Sequence, residues 1–389
     1  MFIPVPSRLV LHEMEKMAVH PVGIQIMAPK AELCPEKLFQ VKSPSANIIK
    51  QEMLSMGCEC VTVKGAINCS VPVGDVLLLG NKNQYRHLVE KLETMRAWFG
   101  FAEVIADLKA YLDETPLVTT LADGRQLTYE KMRVMGILNV TPDSFYAGSR
   151  VIQEETLLHT AGKMLEDGAD ILDIGGESTR PWGYTLLSDE EEIARVVPMI
   201  EAVKANFDIP ISLVTYNSGV AEAGIRAGAD LINDIWGLKY DNHMAKVIAK
   251  SGLPCCLMHN RKEADYRDFM QDVAADLADT IHLAEAAGIA DEKIILDPGV
   301  GFGKTYENNL EIINCLEELN MFGYPLLLGC SRKSVIGLTL DLPVTERVEG
   351  TLVTTMFGVQ KGCMFVRVHD VKENVRTIKM CEAILNSSN

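Results

Sequence analysis

The stretch KIILDPG, residues 293–299, joins an apolar run to an aspartate and a Pro-Gly turn. Seven further runs of this kind occur, each followed by a loop of small or polar residues and then by a helical pattern. In chain order the eight runs are RVMGILNV (133–140), ADILDIGG (169–176), PISLVTY (210–216), DLINDI (230–235), PCCLMHN (254–260), KIILDPG (293–299), PLLLGC (325–330) and CMFVRVHD (363–370). Near-continuous apolar strands that alternate with amphipathic helices are typical of a parallel sheet covered on both faces. Eight such units predict an α/β fold, the closed (β/α)8 TIM barrel.

An open doubly wound sheet is the alternative arrangement of such units. Its first strand is normally followed by a glycine-rich turn. At that point residues 139–145 of this chain read NVTPDSF and lack the glycines. The sequence therefore favours the barrel, which we assign to residues 113–389. Near its start, Asp123-Gly124 between alternating segments predicts a hairpin turn.

Residues 1–112 have a different pattern and are predicted to form a small α+β domain that precedes the barrel. Strand-like stretches alternate there with helical periodicity. The predicted strands are VGIQIMAP (22–29), CVTVKGAINCSV (60–71) and VGDVLLLG (73–80), and the predicted helices are SANIIKQEMLSMG (45–57) and NQYRHLVEKLETM (83–95). Because this domain has no dense cluster of catalytic residue types, we expect an accessory role, in packing or oligomerisation.

The composition limits the classes of protein that the chain can represent. Hydrophobic residues make up 48% of the 389 residues and charged residues 23%, which is typical of a globular protein. The formal charge of −16 argues against general attraction to nucleic acid or to an anionic membrane surface. No apolar stretch approaches the roughly 20 residues needed to span a bilayer. Any site for an anionic ligand must therefore be a local pocket.

The ten cysteines do not predict a disulfide framework. The pairs Cys58/Cys60 and Cys255/Cys256 lack the C-x-x-C spacing of a structural zinc site. We expect no signal peptide at the start of the chain. We therefore expect reduced thiols and a cytoplasmic location.

Polar side chains follow every one of the eight predicted strands. In a barrel of this kind the active site lies where the strands end, so a single shared pocket is expected. Arg180, Arg332, Lys333 and Arg367, with His369, predict an anion such as diphosphate. The strand-end residues are Asn139; Asp173, Glu177, Ser178, Thr179 and Arg180; Thr215 and Asn217; Asn233 and Asp234; His259, Asn260 and Arg261; Asp297; Ser331, Arg332, Lys333 and Ser334; and Arg367, His369 and Asp370.

An amide and a carboxylate in the same set predict a second kind of contact. Asn233 and Asp297 offer the donor and acceptor groups that read a planar heterocycle with amino and carbonyl substituents. Taken with the cations, this indicates a small nitrogen heterocycle that carries a phosphate group.

Seven blocks of sequence carry a resemblance to a known family. They are MGILNVTPDSF (135–145), GADILDIGGESTRP (168–181), GADLINDIWG (228–237), LMHNR (257–261), ILDPGVGFGKT (295–305), GCSRKSVIG (329–337) and FVRVHDV (365–371). In this order they resemble the dihydropteroate synthases of folate biosynthesis, over about residues 133–385. The leading domain is similar to the extension found on dihydropteroate synthases of anaerobic Firmicutes.

The resemblance implies a reaction and a set of residue roles. These enzymes condense 6-hydroxymethyl-7,8-dihydropterin diphosphate with 4-aminobenzoate to give 7,8-dihydropteroate and diphosphate. By matching positions, Asn139 would hold Mg²⁺ and the diphosphate, Arg367 and His369 would bind the same anion, and Arg332 would lie behind the pocket. Asn233, Asp297 and Lys333 would bind the pterin as the catalytic set. The remaining substrate-binding positions are Ser334 for the aminobenzoate carboxylate, and Thr179, Arg180, Pro181, Phe145 and Phe302 as walls of that site.

The resemblance also implies small-molecule substrates and a possible homodimer formed through outer helices. Neither nucleic acid nor a membrane is an expected partner.

The third barrel strand departs from the family pattern. The family has an apolar strand ending in Asp-Thr, with a lysine two residues later, whereas this chain has Val214 and Asn217 at the aspartate and lysine positions. Trp182 also intervenes where the family has a glycine after the proline.

Three functions remain open at this point. The first is an active synthase and the second is a pterin-binding paralogue with weak or no synthase activity. The third is a methyltetrahydrofolate-dependent methyltransferase with a corrinoid partner. The SRKS (331–334) and RVHD (367–370) segments suit a diphosphate and an aromatic acid, which methyl transfer does not need.

Overall fold

The chain divides into two units, residues 1–115 with 386–389 and residues 116–385. The structure is a computed structural model that describes residues 5, 7, 10–98, 100–113, 116–139, 150–176 and 187–387. At residues 139 and 150–153 it describes the backbone only. We refer to the two parts as the N-terminal unit and the barrel unit.

The N-terminal unit is a small α+β fold, as predicted. Its three-stranded antiparallel sheet has the order β1-β3-β2. Ile49, Met53, Leu78 and Tyr85 are fully buried in its core. Its elements are α1 (Val10–Lys16), α2 (Pro21–Met27), β1 (Cys34–Lys42), α3 (Ser43–Ser55), β2 (Glu59–Thr62), β3 (Val73–Gly80), α4 (Lys82–Glu93) and α5 (Phe101–Leu112).

Two of the predicted strands in this unit were wrong in whole or in part. Residues 22–29 lie in α2 and the short 3-10 turn that follows it. Pro21 is at the start of that helix and the His20 side chain accepts a hydrogen bond from Val22 N at 3.3 Å, so the local capping outweighs the apolar alternation. Residues 60–71 form a strand only as far as Thr62, and β1 was not predicted.

The barrel unit begins with a two-stranded hairpin. Strands β4 (Val118–Thr120) and β5 (Gln126–Thr128) pair antiparallel. Gly124 has a φ of +84°, a left-handed conformation that glycine adopts easily. The hairpin predicted from Asp123-Gly124 is confirmed.

Eight parallel strands then form one sheet with the order β11-β10-β9-β8-β7-β6-β13-β12. A parallel bridge between Leu296 and Leu326 joins the two ends of this order, so the sheet closes. The predicted (β/α)8 barrel is confirmed. The strands are β6 (Arg133–Asn139), β7 (Ile171–Gly175), β8 (Ile211–Val214), β9 (Leu231–Asp234), β10 (Cys255–Met258), β11 (Ile294–Asp297), β12 (Leu327–Leu328) and β13 (Phe365–Val368).

Helices surround the barrel. Outward side chains such as Leu172, Leu213 and Leu257 pack against them in the larger apolar core. The helices are α6 (Arg150–Glu166), α7 (Asp189–Asn206), α8 (Ser218–Ala227), α9 (Met244–Ser251), α10 (Phe269–Ala287), α11 (Tyr306–Asn314), α12 (Ser334–Leu340), α13 (Val348–Gln360) and α14 (Val371–Asn386). Within the described residues, no helix is long and apolar enough to cross a membrane.

A layer of apolar side chains fills the lower interior of the barrel. It consists of Met135, Ile171, Leu231, Cys256, Ile295, Leu327 and Phe365, one from each of seven strands, with Leu121 and Leu127 of the hairpin. Successive side chains of a strand point to opposite faces, so the next inward residue lies two positions further along. On β7, β9, β11 and β13 that residue is polar: Asp173, Asn233, Asp297 and Arg367. The strand period therefore places the candidate site directly above an apolar floor.

All ten cysteines lie in the described residues and are free thiols. Burial raises the pKa of the Cys330 thiol to about 12, which keeps it protonated at neutral pH.

Candidate functional site

A buried carboxylate links three strands across the barrel interior. Asp173 is fully buried and its Oδ2 accepts a hydrogen bond from Arg367 Nε at 2.5 Å. Its Oδ1 accepts from Asn233 Nδ2 at 3.3 Å. The three residues lie on β7, β13 and β9, strands that are not neighbours in the sheet. Asp173 therefore fixes the orientation of both an amide and a guanidinium of the predicted site.

Asp297 ends β11 on another side of the same space. It is 4% exposed, and its Oδ1 accepts a hydrogen bond from Gly299 N at 2.7 Å. Burial raises the pKa of this carboxyl group, while the nearby Lys333 charge acts in the opposite direction. A methyl group placed on Gly329 would lie 3.6 Å from Asp297 Oδ2 and 3.8 Å from Lys333 Nζ. The carboxylate and the ammonium thus converge on the space beside this glycine.

The half-buried Lys333 precedes helix α12 and points to the loop after β11. Its Nζ donates a hydrogen bond to Val300 O and lies 4.5 Å from the centroid of the Phe302 ring. Burial lowers the pKa of Lys333 to about 8, although Asp297 favours the charged form. The predicted pterin residues Asn233, Asp297 and Lys333 therefore meet in one buried region with Phe302.

Arg332, the other cation of SRKS, is engaged elsewhere. Its Nε and Nη2 donate to the two carboxylate oxygens of Asp370, at 2.8 and 2.6 Å. Its backbone is left-handed, with a φ of +56°. The Arg332 guanidinium is therefore held by Asp370.

Ser331 and His369 form a further contact between the seventh and eighth strand ends. Ser331 Oγ lies 2.9 Å from His369 Nδ1 and accepts a hydrogen bond from His369 N at 3.1 Å. Ser334 is exposed at the first position of α12. His369 is also exposed.

The end of β8 is apolar where the family pattern has a carboxylate. Val214 is 4% exposed and packs in a cluster with Tyr216, Ile235 and Met258, and Trp236 and Phe302 lie against it. Val214 is paired in register with Asn233. Asn217, at the family's lysine position, donates from Nδ2 to Glu192 Oε2 at 3.2 Å. One wall of the site is therefore apolar and the opposite wall is charged.

Several strand-end residues bind to each other or to a residue that the sequence did not single out. His259 Nε2 and Arg261 Nε lie 3.0 and 2.6 Å from Asp276 Oδ2, on helix α10. Lys304 contacts the other ring nitrogen of His259. Lys304 belongs to the quoted block 295–305, but nothing in the linear sequence indicated its partners.

The remaining predictions for the site lie outside the described residues. They concern the side chain of Asn139, and Phe145, Glu177, Ser178, Thr179, Arg180, Pro181 and Trp182. The backbone of Asn139 is described and pairs with Gly175 at the carboxyl end of the sheet.

A closed (β/α)8 barrel with buried donors, acceptors and cations at its strand ends defines an enzyme that binds a small polar ligand there. A family model for pterin binding enzymes matches residues 135–369, within the barrel unit. A dihydropteroate synthase of Clostridium beijerinckii is 57% identical over 257 residues, which are 66% of this chain and 95% of that protein. One from Bacillus subtilis is 49% identical over 276 residues, which are 71% and 96% of the two proteins.

Solved structures agree with this match. A Clostridium difficile dihydropteroate synthase, crystallised with pteroic acid, is 46% identical with a TM-score of 0.64, covering 66% of this chain and 97% of that one. A Yersinia pestis dihydropteroate synthase in complex with a sulfonamide drug is 41% identical with a TM-score of 0.65, covering 70% and 100%. The chain belongs to the pterin-binding enzymes and, among them, to the dihydropteroate synthase family.

The position of Lys333 makes its titration measurable. We expect competitive acylation of the Nζ, followed by mass spectrometry across pH, to give a midpoint near 8 in the folded protein. In Asp297→Asn the midpoint should fall further, because the ammonium loses a nearby opposite charge. The same peptide labelled in denaturant is the control and should titrate near its ordinary value of about 10.4. A folded-state midpoint near that ordinary value would contradict the buried position.

Proposed function

We infer that the chain acts as a dihydropteroate synthase, a transferase of the pterinylmethyl group. It joins the amine of 4-aminobenzoate to the methylene carbon of 6-hydroxymethyl-7,8-dihydropterin diphosphate. In this step a C–N bond forms, the C–O bond to diphosphate breaks, and the amine releases a proton. The observation that carries the proposal is the set of Asn233, Asp297, Lys333 and Arg367 around one buried space above an apolar floor.

We propose that the pterin ring lies in the polar part of this space. The Asp297 carboxylate would accept from ring N–H and amino groups, and the Asn233 amide would supply a complementary donor and acceptor. Lys333 would donate to the carbonyl side of the ring. Because these groups are already held by Gly299, Asp173 and Val300, binding needs little further ordering of side chains. Such prior ordering supports a ligand of fixed shape.

The departing diphosphate requires positive charge. We propose that Arg367 and His369 bind it, with Asp173 holding the guanidinium in position from the opposite side. Arg367 would donate to phosphate oxygens through the guanidinium nitrogens that do not contact Asp173. These donors stabilise the negative charge that builds on the leaving group.

Asn139 is the proposed protein ligand of Mg²⁺. The described residues contain no group of three or more His, Cys, Asp or Glu side chains that could hold a metal ion by themselves. A single amide oxygen at the end of β6 fits an ion held mainly by substrate phosphates and water, which is the usual arrangement for Mg²⁺. When bound, the ion offsets the charge of the diphosphate.

The aminobenzoate site is the remaining part of the proposal. The Phe302 ring centroid lies 4.5 Å from Lys333 Nζ, and we propose that this ring contacts the aromatic ring of aminobenzoate. The exposed Ser334 is proposed to bind the carboxylate of aminobenzoate. Thr179, Arg180, Pro181 and Phe145 are proposed to complete that site, as the sequence resemblance implies.

A pterin-binding protein without synthase activity is the second candidate, and Val214 is the observation that favours it. The apolar cluster around Val214 leaves the pterin without one acceptor of the family pattern. The relatives described above are named as synthases, which disfavours the corrinoid methyltransferase.

The test is diphosphate release by the purified protein with dihydropterin diphosphate and Mg²⁺, with and without 4-aminobenzoate. We expect release that depends on aminobenzoate, with dihydropteroate formed in equal amount. Lys333→Met and Asp297→Asn are the matched inactive variants and should lose about 100-fold or more in turnover. Tight pterin binding without release would favour the second candidate.

Restoring the carboxylate tests how the pterin is placed. Val214→Asp should raise kcat/KM by about 10- to 100-fold, since a missing acceptor for a buried donor costs about 1–3 kcal/mol and each 1.4 kcal/mol is tenfold. Val214→Asn is the control for charge and should give a smaller gain. A melting curve shows whether each variant is folded. An unchanged rate in folded Val214→Asp would contradict the proposed position of the ring.

We further propose a homodimer formed through outer helices. Leu338 on α12, Val353 on α13 and Met380 on α14 are 67%, 52% and 61% exposed, and we propose that they contribute to an apolar patch of the kind that marks interfaces. Sedimentation equilibrium should give twice the mass of one chain, and Val353→Asp should shift the protein toward the monomer. A single-chain mass at micromolar concentration would contradict the dimer.

A further inference from the structure

A half-buried lysine outside the proposed substrate contacts organises the loop after β11. Lys304 Nζ lies 2.7 Å from His259 Nδ1, 3.0 Å from Gly299 O and 3.1 Å from Phe302 O. A protonated lysine has three N–H donors and no acceptor. Each donor therefore has one acceptor, and two of the three acceptors are carbonyls of the same loop.

The histidine in this group is fixed as an acceptor. Burial lowers the pKa of His259 to about 4, so the ring is neutral at neutral pH. Asp276 Oδ2, 3.0 Å from Nε2, can only accept, and the Lys304 ammonium beside Nδ1 can only donate, so these two partners assign the ring proton to Nε2. Asp276 also accepts from Arg261 Nε at 2.6 Å. The chain from Arg261 to Lys304 thus has one consistent arrangement of donors and acceptors.

The loop after β11 packs closely against the end of β10, where His259 lies. Gly299 has a φ of +69°, and a Cβ built there would lie 1.9 Å from His259 O. Gly303 has a φ of +54°, and its Cβ would lie 2.3 Å from Arg261 O. Both positions need glycine, because of the left-handed backbone and because of the lack of space. The loop therefore has little freedom to shift on this side.

The opposite side of the same loop contacts the proposed pterin residues. Gly299 N donates to Asp297 Oδ1, Val300 O accepts from Lys333 Nζ, and the Phe302 ring lies under that ammonium. Lys304 and the pair of Asp297 and Lys333 are therefore connected through residues 299–302.

We propose that Lys304 is a positioning residue, which holds residues 299–303 in the shape that aligns Asp297 and Lys333 with the pterin. It acts through the loop and does not touch the substrate. This inference rests on the proposed function, because it assigns the pterin to those two residues.

The charge state of Lys304 gives the proposal a pH signature. Burial lowers the pKa of Lys304 to about 7; the charged groups that act on it are Asp297, Lys333, Asp276 and Arg261, beside the neutral ring of His259. As pH rises through about 7 the ammonium becomes an amine with two donors, and one of its three acceptors loses its hydrogen bond. Pterin affinity should therefore fall as pH rises through this range, ahead of the effect of Lys333 near 8.

The experiment measures affinity for 6-hydroxymethyl-7,8-dihydropterin diphosphate by titration calorimetry, with kcat and KM for both substrates, in the full chain. Lys304→Met should lose about 10- to 100-fold in pterin affinity, as expected for misplaced binding groups. The fall in affinity near pH 7 should disappear in this variant. Lys304→Arg keeps the charge and should recover part of the affinity.

Lys204→Met is the matched control. Lys204 is also partly buried, and its Nζ lies 2.6 Å from Asp230 Oδ2, at the amino end of the strands. We expect this variant to lower the melting temperature and to leave pterin affinity unchanged. Equal losses of pterin affinity in the Lys304 and Lys204 variants would overturn the proposal, as would wild-type affinity in folded Lys304→Met.

If Lys304→Met does not fold, His259→Gln carries the test. It removes the Nδ1 acceptor and keeps the ammonium, so a selective loss of pterin affinity supports the proposal and an unchanged affinity overturns it. If the wild-type protein binds the pterin but releases no diphosphate in response to aminobenzoate, the proposed synthase activity is refuted. The comparison of pterin affinities between the variants remains valid in that case. If the wild-type protein is an active synthase but the variants keep its pterin affinity, only the positioning role of Lys304 is refuted.

Discussion

The site depends on the ion pair between Asp173 and Arg367 inside the barrel. Burying a lone carboxylate or guanidinium is costly, and removing one partner of a buried pair costs about 3–5 kcal/mol. Asp173 also accepts from Asn233, so a single fully buried side chain orders three strands that are not adjacent. The pair lies directly above the apolar floor, and Asp173 is fully buried. One carboxylate, that of Asp173, therefore orients both Arg367, which is proposed to bind the diphosphate, and Asn233, which is proposed to bind the pterin.

The site has two walls of opposite chemistry. On one wall Asp297, Lys333 and Arg367 carry charge, and on the other Val214 packs with Tyr216 and Met258. A planar heterocycle between them has polar contacts at its edges and apolar contact on part of its surface. The same division accounts for the shifted pKa values of Asp297 and Lys333, since the apolar wall and floor withhold water from both groups.

The barrel could be predicted because its evidence, eight apolar runs of similar length, is spread over the whole barrel unit. An unusual residue in one run does not change the pattern. The strand-end rule likewise predicted Asn233, Asp297 and Lys333 together, because parallel strands end at one rim. The rule gives no side-chain direction, so it also included Arg332, His259 and Arg261, which bind Asp370 and Asp276. Lys304 was missed because its role comes from contacts over 45 residues of chain. In the N-terminal unit, residues 22–29 were wrongly predicted to form a strand. Their apolar alternation is outweighed by Pro21 and the His20 cap, which start a helix there.

The loop GVGFG, residues 299–303, alternates glycines with two side chains. Since Gly299 and Gly303 have no room for a Cβ, and Gly301 has a φ of +83° with Lys333 Cδ only 3.1 Å from a built Cβ, inherited change is confined to Val300 and Phe302. Val300 contributes a backbone carbonyl to the site, whereas Phe302 contributes its ring. Under selection by an inhibitor that mimics the aromatic substrate, Phe302 would thus be the position of this loop where a new side chain changes the proposed site. Such a change would also alter the surface proposed for the substrate itself.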